Sequence, residues 1–339
     1  MAEADSDEGG GSRTAVWAAL IGNVLVTVTK AGAAAFTGSS AMLSEAVHSF
    51  VDTGNEVLLL YGMHQAKQKA DRDHPVGYGR ELYFWSFIVA LLVFALGAGV
   101  SIFQGVQRVR HPQQIENAIV SEIVLAAAFL FEGWSWVVSL RQFNKAKGPL
   151  GYYEAFVKSK DPPLFMVLFE DSAALIGIVI AAIGTVLAAH FDMPLADGVS
   201  SILIGLVLAC TSTLLARESK SLLIGEKADS ALIKSMLEIA NAACGRSRAN
   251  GVLTIQMAPD QIMAAMSFEF DDALTAPQIE QMVADIERRI HDAHPEVTSL
   301  FIKPQNPQQY TQQYTQTVRE RYGEDVADAT RGQTPVTAA

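Results

Sequence analysis

Little in this chain can build a covalent scaffold or a basic surface. It has two cysteines in 339 residues, Cys210 and Cys244. They are too few and too far apart for a disulfide framework or a cysteine zinc site. Charged residues make up 18% of the chain, and 36 acids against 25 Lys and Arg give a net charge of −11. No basic stripe exists that could hold nucleic acid. No glycine-rich phosphate loop and no nucleophile–base pair points to an enzyme. The opening segment MAEADSDEGGGS lacks the basic start and small-residue cleavage site of a secretory signal. Being acidic and Gly-rich, residues 1–13 are expected to form a disordered leader.

Apolar residues are plentiful instead. Half of the chain is hydrophobic and the mean hydropathy is +0.22, high for a soluble protein. These residues concentrate before about residue 225, so the first division is between a membrane part and a soluble part. A spanning helix needs about 20 mainly apolar residues. Six segments qualify, at about 14–36, 41–62, 82–107, 117–140, 163–190 and 195–216, and an even number puts both termini on one side. Asp161-Pro162-Pro163 marks the start of the fifth, and Ser39 or Ser40 the start of the second.

Lys and Arg in the loops set the orientation. The connection between spans two and three holds Lys67, Lys69, Arg72 and Arg80. The connection between four and five holds Arg141, Lys145, Lys147, Lys158 and Lys160, and Arg217, Lys220 and Lys227 follow span six. The opposite turns carry little beyond Arg108 and Arg110. Both termini are therefore expected in the cytoplasm; the bilayer is expected to be a bacterial inner membrane, with an organelle membrane as the alternative. Residues 221–304 read as a soluble unit of order α-β-β-α-β, a small α+β sheet with its helices on one face. Residues 305–339 read as a polar, partly helical tail.

The second span contains SEAVHSFVDTGNE at 44–56. Its Glu45, His48, Asp52 and Glu56 fall along one helical stripe, although an ionised side chain near the bilayer centre costs about 2.5–3.5 kcal/mol. His48 and Asp52 stand one turn apart, and an imidazole nitrogen and a carboxylate so placed form half of a tetrahedral metal site. The fifth span offers Glu170 and Asp171. With 1.5 Å of rise per residue, His48 and Asp52 lie roughly 13 and 19 Å from the outer end, and Asp171 roughly 15 Å from the inner end. All three then sit near mid-depth. Glu45, Glu56, Asn23 and Glu122 read equally as helix–helix contacts, and Lys30 as a snorkelling or acid-paired side chain. Glu132 in the fourth span reads as a proton carrier, an outer partner of the site or a counter-charge.

GSSAMLSEAVHSFVDTGNEVLLL, HPVGYGRELYFWSFIVALLVF and DGVSSILIGLVLA resemble the cation diffusion facilitator family of zinc and related divalent-metal exporters, over about residues 14–304. The resemblance implies a membrane all-α six-helix bundle over 14–220 with a ferredoxin-like cytoplasmic dimerisation domain over 221–304. It implies a homodimer that exchanges metal for protons by alternating access, with no resident cofactor. His48 and Asp52 match the family's helix-2 ligand pair, and Asp171 its acidic helix-5 ligand, with Gly177 six residues on. One departure stands out: Val167 occupies the place, one turn before Asp171, where many zinc members carry His or Asp. Glu170, Asn55, Glu132 or water is left as the fourth ligand, and Glu170 points about 100° away from Asp171 on an ideal helix. The loop between spans four and five has no histidine run, the sheet strands hold no histidine, and His291 and His294 border a loop. Asp71, Asp73 and His74 read as a turn in preference to a cation collector. The imidazole nitrogen favours Zn²⁺ over Mg²⁺ or Ca²⁺, with Fe²⁺, Co²⁺ and Mn²⁺ as alternatives. Its unperturbed pKa of about 6.5 lets His48 hold either a proton or a metal. The rival reading is a non-transporting membrane scaffold of the same fold, motivated by Val167 and the histidine-poor loops.

Overall fold

The computed structural model describes residues 8–37, 40–112, 118–191, 193–242 and 247–322. The side chains of residues 8–11, 33–34, 36–37, 40–48, 118, 314–315 and 317–322 are outside that description. The chain forms two compact units, Met1–Leu223 and Ile224–Ala339.

The first unit consists of long helices: α1 (Glu8–Thr37), α2 (Ser40–Gln65), α3 (Glu81–Leu92), α4 (Val100–Arg110), α5 (Ala118–Lys147), the short α6 (Tyr152–Lys158), α7 (Pro162–His190) and α8 (Leu195–Ile224). A π-helical stretch, Val93–Gly99, joins α3 to α4, so the third rod is one helix with its middle underwound. Five rods among the described residues are long and apolar enough to cross a membrane: Ser12–Gly32, Glu81–Arg110, Ile119–Lys147, Pro162–His190 and Leu195–Ile224. Helix α2, 26 residues long, completes the six-helix bundle; its acids lower its hydropathy, not its reach.

The helix α1 begins at Glu8, inside the segment 1–13 expected to be disordered. Ala15 and Val16 are fully buried, and the Ser12 hydroxyl donates to Asp161 at the head of α7, which ties this end down. Asp161 takes the N-cap position with Pro162 and Pro163 in the first turn, yet its side chain makes no capping bond. Instead it accepts from Ser12.

The rod α3–α4 meets α8 backbone to backbone. A Cβ on Gly198 would sit 2.8 Å from the Val109 nitrogen and 3.0 Å from the Gly105 oxygen, and one on Gly205 would meet the Ala98 oxygen at 3.0 Å. Only glycine permits that approach. Arg108 closes the seam's end with an ion pair to Asp197.

In the second unit α9 (Ser230–Ala242), β1 (Arg248–Ala258), β2 (Gln261–Glu269), α10 (Ala276–Ala293) and β3 (Val297–Pro304) follow in the expected order. The sheet order is β1-β2-β3, with β1 antiparallel and β3 parallel to β2. This is the ferredoxin-like β-α-β-β-α-β arrangement without its first strand. Met236, Ala240, Ile286 and Ile290 of the two helices pack on Ile262, Ala264, Met266 and Phe268. Thr275 and Gln278 form a capping box that starts α10. The tail expected to be partly helical carries α11 (Pro307–Tyr322). Its Tyr310 lies against Gly251, where a Cβ would meet the phenol oxygen.

Candidate metal centre

Helix α1 packs against α2, α5 and α7, and α5 packs against α7. Polar side chains of four helices meet in this group. Between α1 and α2 they form a ladder. Asn23 donates to Glu56 at 2.8 Å, Thr27 and Thr53 hydroxyls meet at 3.3 Å, and Lys30 donates to Ser49 at 2.8 Å. The positions 23, 27 and 30 on one helix and 56, 53 and 49 on the other each advance about one turn, as two antiparallel helices require.

The acids on α7 divide between two neighbours. Glu170 turns toward α2, where its Oε1 accepts from the Asn55 amide at 3.3 Å, and it interacts electrostatically with Asp52 and Glu132. Asp171 turns toward α5. Its Oδ2 accepts from Ser135 at 2.7 Å and from Ser139 at 3.5 Å, and Glu132 is its leading charged neighbour. Trp136 also donates to Ser172 at 2.9 Å, so α5 and α7 are joined by consecutive side chains. Glu170 thus reaches α2 from a continuous helix: α7 is rotated so that Glu170 fronts α2 and Asp171 fronts α5.

Asn55, Glu56, Glu132 and Asp171 are all buried. Glu56 interacts electrostatically with Glu170, Asp52 and Asp171. Two carboxylate oxygens in this group, Glu56 Oε2 and Glu170 Oε2, are buried and receive no hydrogen bond from the described residues. Buried carboxylates normally collect donors or a cation. Asp52 is half-buried. The side chains of Glu45 and His48 lie outside the described residues. Among the described residues, no three His, Cys, Asp or Glu side chains close on one point tightly enough to hold a metal ion.

Toward the α7 start lies a packed apolar core. Leu59 of α2, Phe165, Val167 and Leu168 of α7, Ala15 and Ala19 of α1 and Leu215 of α8 belong to one buried cluster. Val167 is part of that core, 1% exposed.

The chain matches the cation efflux transmembrane domain over residues 16–224, more than half its length. It belongs to the cation efflux family. This is the cation diffusion facilitator family that the motifs of α2, α3 and α8 resemble. Among curated relatives, the mitochondrial proton-coupled zinc antiporter SLC30A9 of Xenopus laevis is 31% identical over 255 residues, 74% of this chain and 45% of that protein. SLC30A9 of Homo sapiens is 34% identical over 207 residues, covering 60% of this chain and 36% of that one. Metal tolerance protein C4 of Arabidopsis thaliana is 33% identical over 220 residues, 64% of this chain and 48% of that one. The chain spans less than half the length of each.

The remaining sequence candidates fall outside the acidic group. Asp71 organises a turn: its Oδ1 accepts from the Asp73 and His74 amides at 2.9 and 2.7 Å, and its Oδ2 from the Tyr78 hydroxyl at 2.7 Å. Tyr78 foremost, then these amides, holds the Asp71 carboxyl below the usual range, and Asp71 in turn raises the Tyr78 phenol. Both ring nitrogens of His294 are engaged, Nε2 with Ser235 at 2.7 Å and Nδ1 with Glu296 at 3.4 Å. Glu122 meets His190 at 3.1 Å at the far end of α5 and α7. Glu56 was legible in sequence only as one more acid on the α2 stripe; its unsatisfied oxygen is a tertiary feature.

Proposed function

We propose that this protein exports a divalent cation, Zn²⁺ foremost, across its membrane by proton-coupled alternating access. What carries the reading is the acidic group shared by α2, α5 and α7, with two buried carboxylate oxygens that receive no hydrogen bond from the described residues. The family match supports it, as do relatives whose names state zinc antiport.

In this proposal His48 and Asp52 of α2 and Asp171 of α7 hold the ion, as the family pattern has it. Glu170, already facing Asn55 and Asp52, supplies what Val167 cannot. Asn55 offers an amide oxygen, and Glu132 stands behind Asp171 as an outer partner. Metal binding requires deprotonated ligands, so each ion bound displaces protons and each proton returned weakens the metal. The apolar core of Leu59, Phe165, Val167 and Leu168 lies on the side of the Lys- and Arg-rich loops. With those loops and both termini in the cytoplasm, this conformation is closed inward. Rocking of helices about the mid-depth acids then alternates access. We assign a homodimer, with the sheet unit serving dimerisation, and a bacterial inner membrane as its bilayer.

The test is zinc flux in sealed proteoliposomes under an imposed proton gradient. The wild type is expected to transport, and Asp52→Ala and Asp171→Ala to fall to the level of empty vesicles. Equal flux from all three would remove this site from transport. Absence of flux in the wild type, with intact zinc-free folding, would favour the scaffold reading.

A further inference from the structure

The segment between α5 and α7 takes no part in the acidic group, yet α6 within it has a defined seat. Phe156 of α6 is 2% exposed. Its ring meets Phe165 edge-on, 5.0 Å between centroids, and Phe169 at 4.7 Å. Phe169 lies roughly 10 Å along α7 from Pro162. On the other side Tyr152 stacks on Phe143, 6.3 Å between centroids, and Phe143 lies roughly 6 Å short of the end of α5. So α6 folds back beside the ends of both spans instead of rising above them. With 30 residues, α5 is about 45 Å long, against about 30 Å of hydrocarbon and about 40–45 Å with the headgroup layers included. A helix set back from the ends of such rods lies at headgroup depth.

Three faces follow one another round α6. Ala155 and Phe156 are buried in the core shared with α7. Tyr153 and Val157, one turn apart on a second face, are 78% and 41% exposed. Glu154 and Lys158 occupy the third and pair at 2.9 Å. An interfacial helix needs this division, with one face on protein, one toward acyl chains and one toward water. A tyrosine, apolar along its ring and polar at its tip, suits the boundary between the last two.

The charge agrees. The chain carries −11 overall, yet residues 141–160 hold five bases, at 141, 145, 147, 158 and 160, and one acid, Glu154. Lys147 is turned inward, donating to the Leu150 oxygen at 2.9 Å and lying 5.0 Å from the Tyr152 ring centroid. Arg141 and Lys145 are exposed, one turn apart on α5, and Lys158 is exposed on α6. A basic segment at headgroup depth complements an anionic lipid surface.

We propose that α6 is a membrane-surface anchor, with its Tyr153–Val157 face set in the headgroup layer and Arg141, Lys145 and Lys158 holding anionic lipid headgroups. This goes beyond cation export and does not depend on it.

The test uses the full-length protein in a Cys210→Ser, Cys244→Ser background, reconstituted into vesicles of phosphatidylcholine and phosphatidylglycerol in equal amounts. A spin label is placed by Tyr153→Cys. Val76→Cys, on an exposed turn, gives the water reference, and Ile176→Cys, on an exposed position of α7, gives the bilayer reference. Collision with oxygen reports the bilayer, and collision with a neutral nickel chelate reports water. The label at 153 is expected to fall between the references, with nickel collisions severalfold below those at 76. Nickel access equal to that at 76 overturns the anchor. Shielding from both probes, as under a second copy of the chain, overturns it too. The charge part is read separately, as the phosphatidylglycerol that co-purifies with the protein and is seen by native mass spectrometry. Enrichment over the vesicle composition is expected in the wild type, with at least half of it lost in Arg141→Gln/Lys145→Gln/Lys158→Gln. Equal enrichment in that variant, with an unchanged size-exclusion peak to show that it folds, overturns the lipid-holding role of these bases.

Discussion

Glu170 and Asp171 are neighbours in sequence and end on different helices because successive side chains leave a helix about 100° apart. With α2 on one side of α7 and α5 on the other, each acid takes the donors on its own side: Asn55 for Glu170, Ser135 and Ser139 for Asp171. Ser135 is itself buried, 1% exposed, so Ser135→Ala leaves a buried carboxyl short of its nearest donor. A loss of about 1.5–3 kcal/mol is expected, read as a lower unfolding temperature of the metal-free protein. Ser172→Ala, which leaves both acids their donors, is expected to cost less. A second residue-scale prediction concerns the exposed turn at 71–78. The Asp71 carboxyl is held low chiefly by the Tyr78 hydroxyl. Its contribution to turn order is therefore present above the ordinary carboxylate pKa and lost as pH falls through the depressed value. Tyr78→Phe should move the Asp71 titration up toward the ordinary 3.8, seen by carboxyl carbon NMR. No movement would mean that the hydroxyl is not the cause.

At the scale of elements, the six spans and the αββαβ order were readable because their signals are local. Apolar length, a Pro after Asp161 and period-two alternation in VLTIQMAP each act within a few residues. The π stretch Val93–Gly99 was not readable, since it lies inside an uninterrupted apolar run. Nor was the helical start at Glu8, four residues before the Ser12 that reaches Asp161 at the head of α7. The glycines divide in the same way. Gly198 faces the Val109 nitrogen and the Gly105 oxygen, which cannot move aside, whereas a Cβ on Gly133 would meet nothing within 4 Å. Gly198→Val should force α8 from α4 and abolish a monodisperse peak in size-exclusion chromatography. Gly133→Ala should keep that peak and gain up to about 1 kcal/mol from helix propensity. Identical behaviour of the two variants would show that the seam is not close-packed.

For the whole molecule, the sequence located the acids but not their pairing. The stripe Glu45, His48, Asp52 and Glu56 on α2 and the pair Glu170 and Asp171 on α7 were both legible from residue type and depth, and the family resemblance agreed with them. Which α7 acid meets α2 depends on the rotation of one rod within the bundle, and that is set by packing contributed by α1 and α5. Orientation is a whole-molecule prediction too. In inside-out vesicles, a cysteine introduced as Lys69→Cys in a Cys210→Ser, Cys244→Ser background should react with an impermeant maleimide. In right-side-out vesicles it should be protected. The opposite pattern would invert the membrane topology and put the Leu59–Val167 core on the outer side.

The central claim is that acids of α2 and α7 hold a divalent ion in mid-membrane. An anomalous difference map at the zinc edge, from crystals of the zinc-loaded full-length protein, tests it most directly. The account predicts a peak between α2 and α7 within coordinating distance of Asp52 and a carboxylate at 170 or 171. A map whose zinc peaks all lie outside the membrane helices would contradict it.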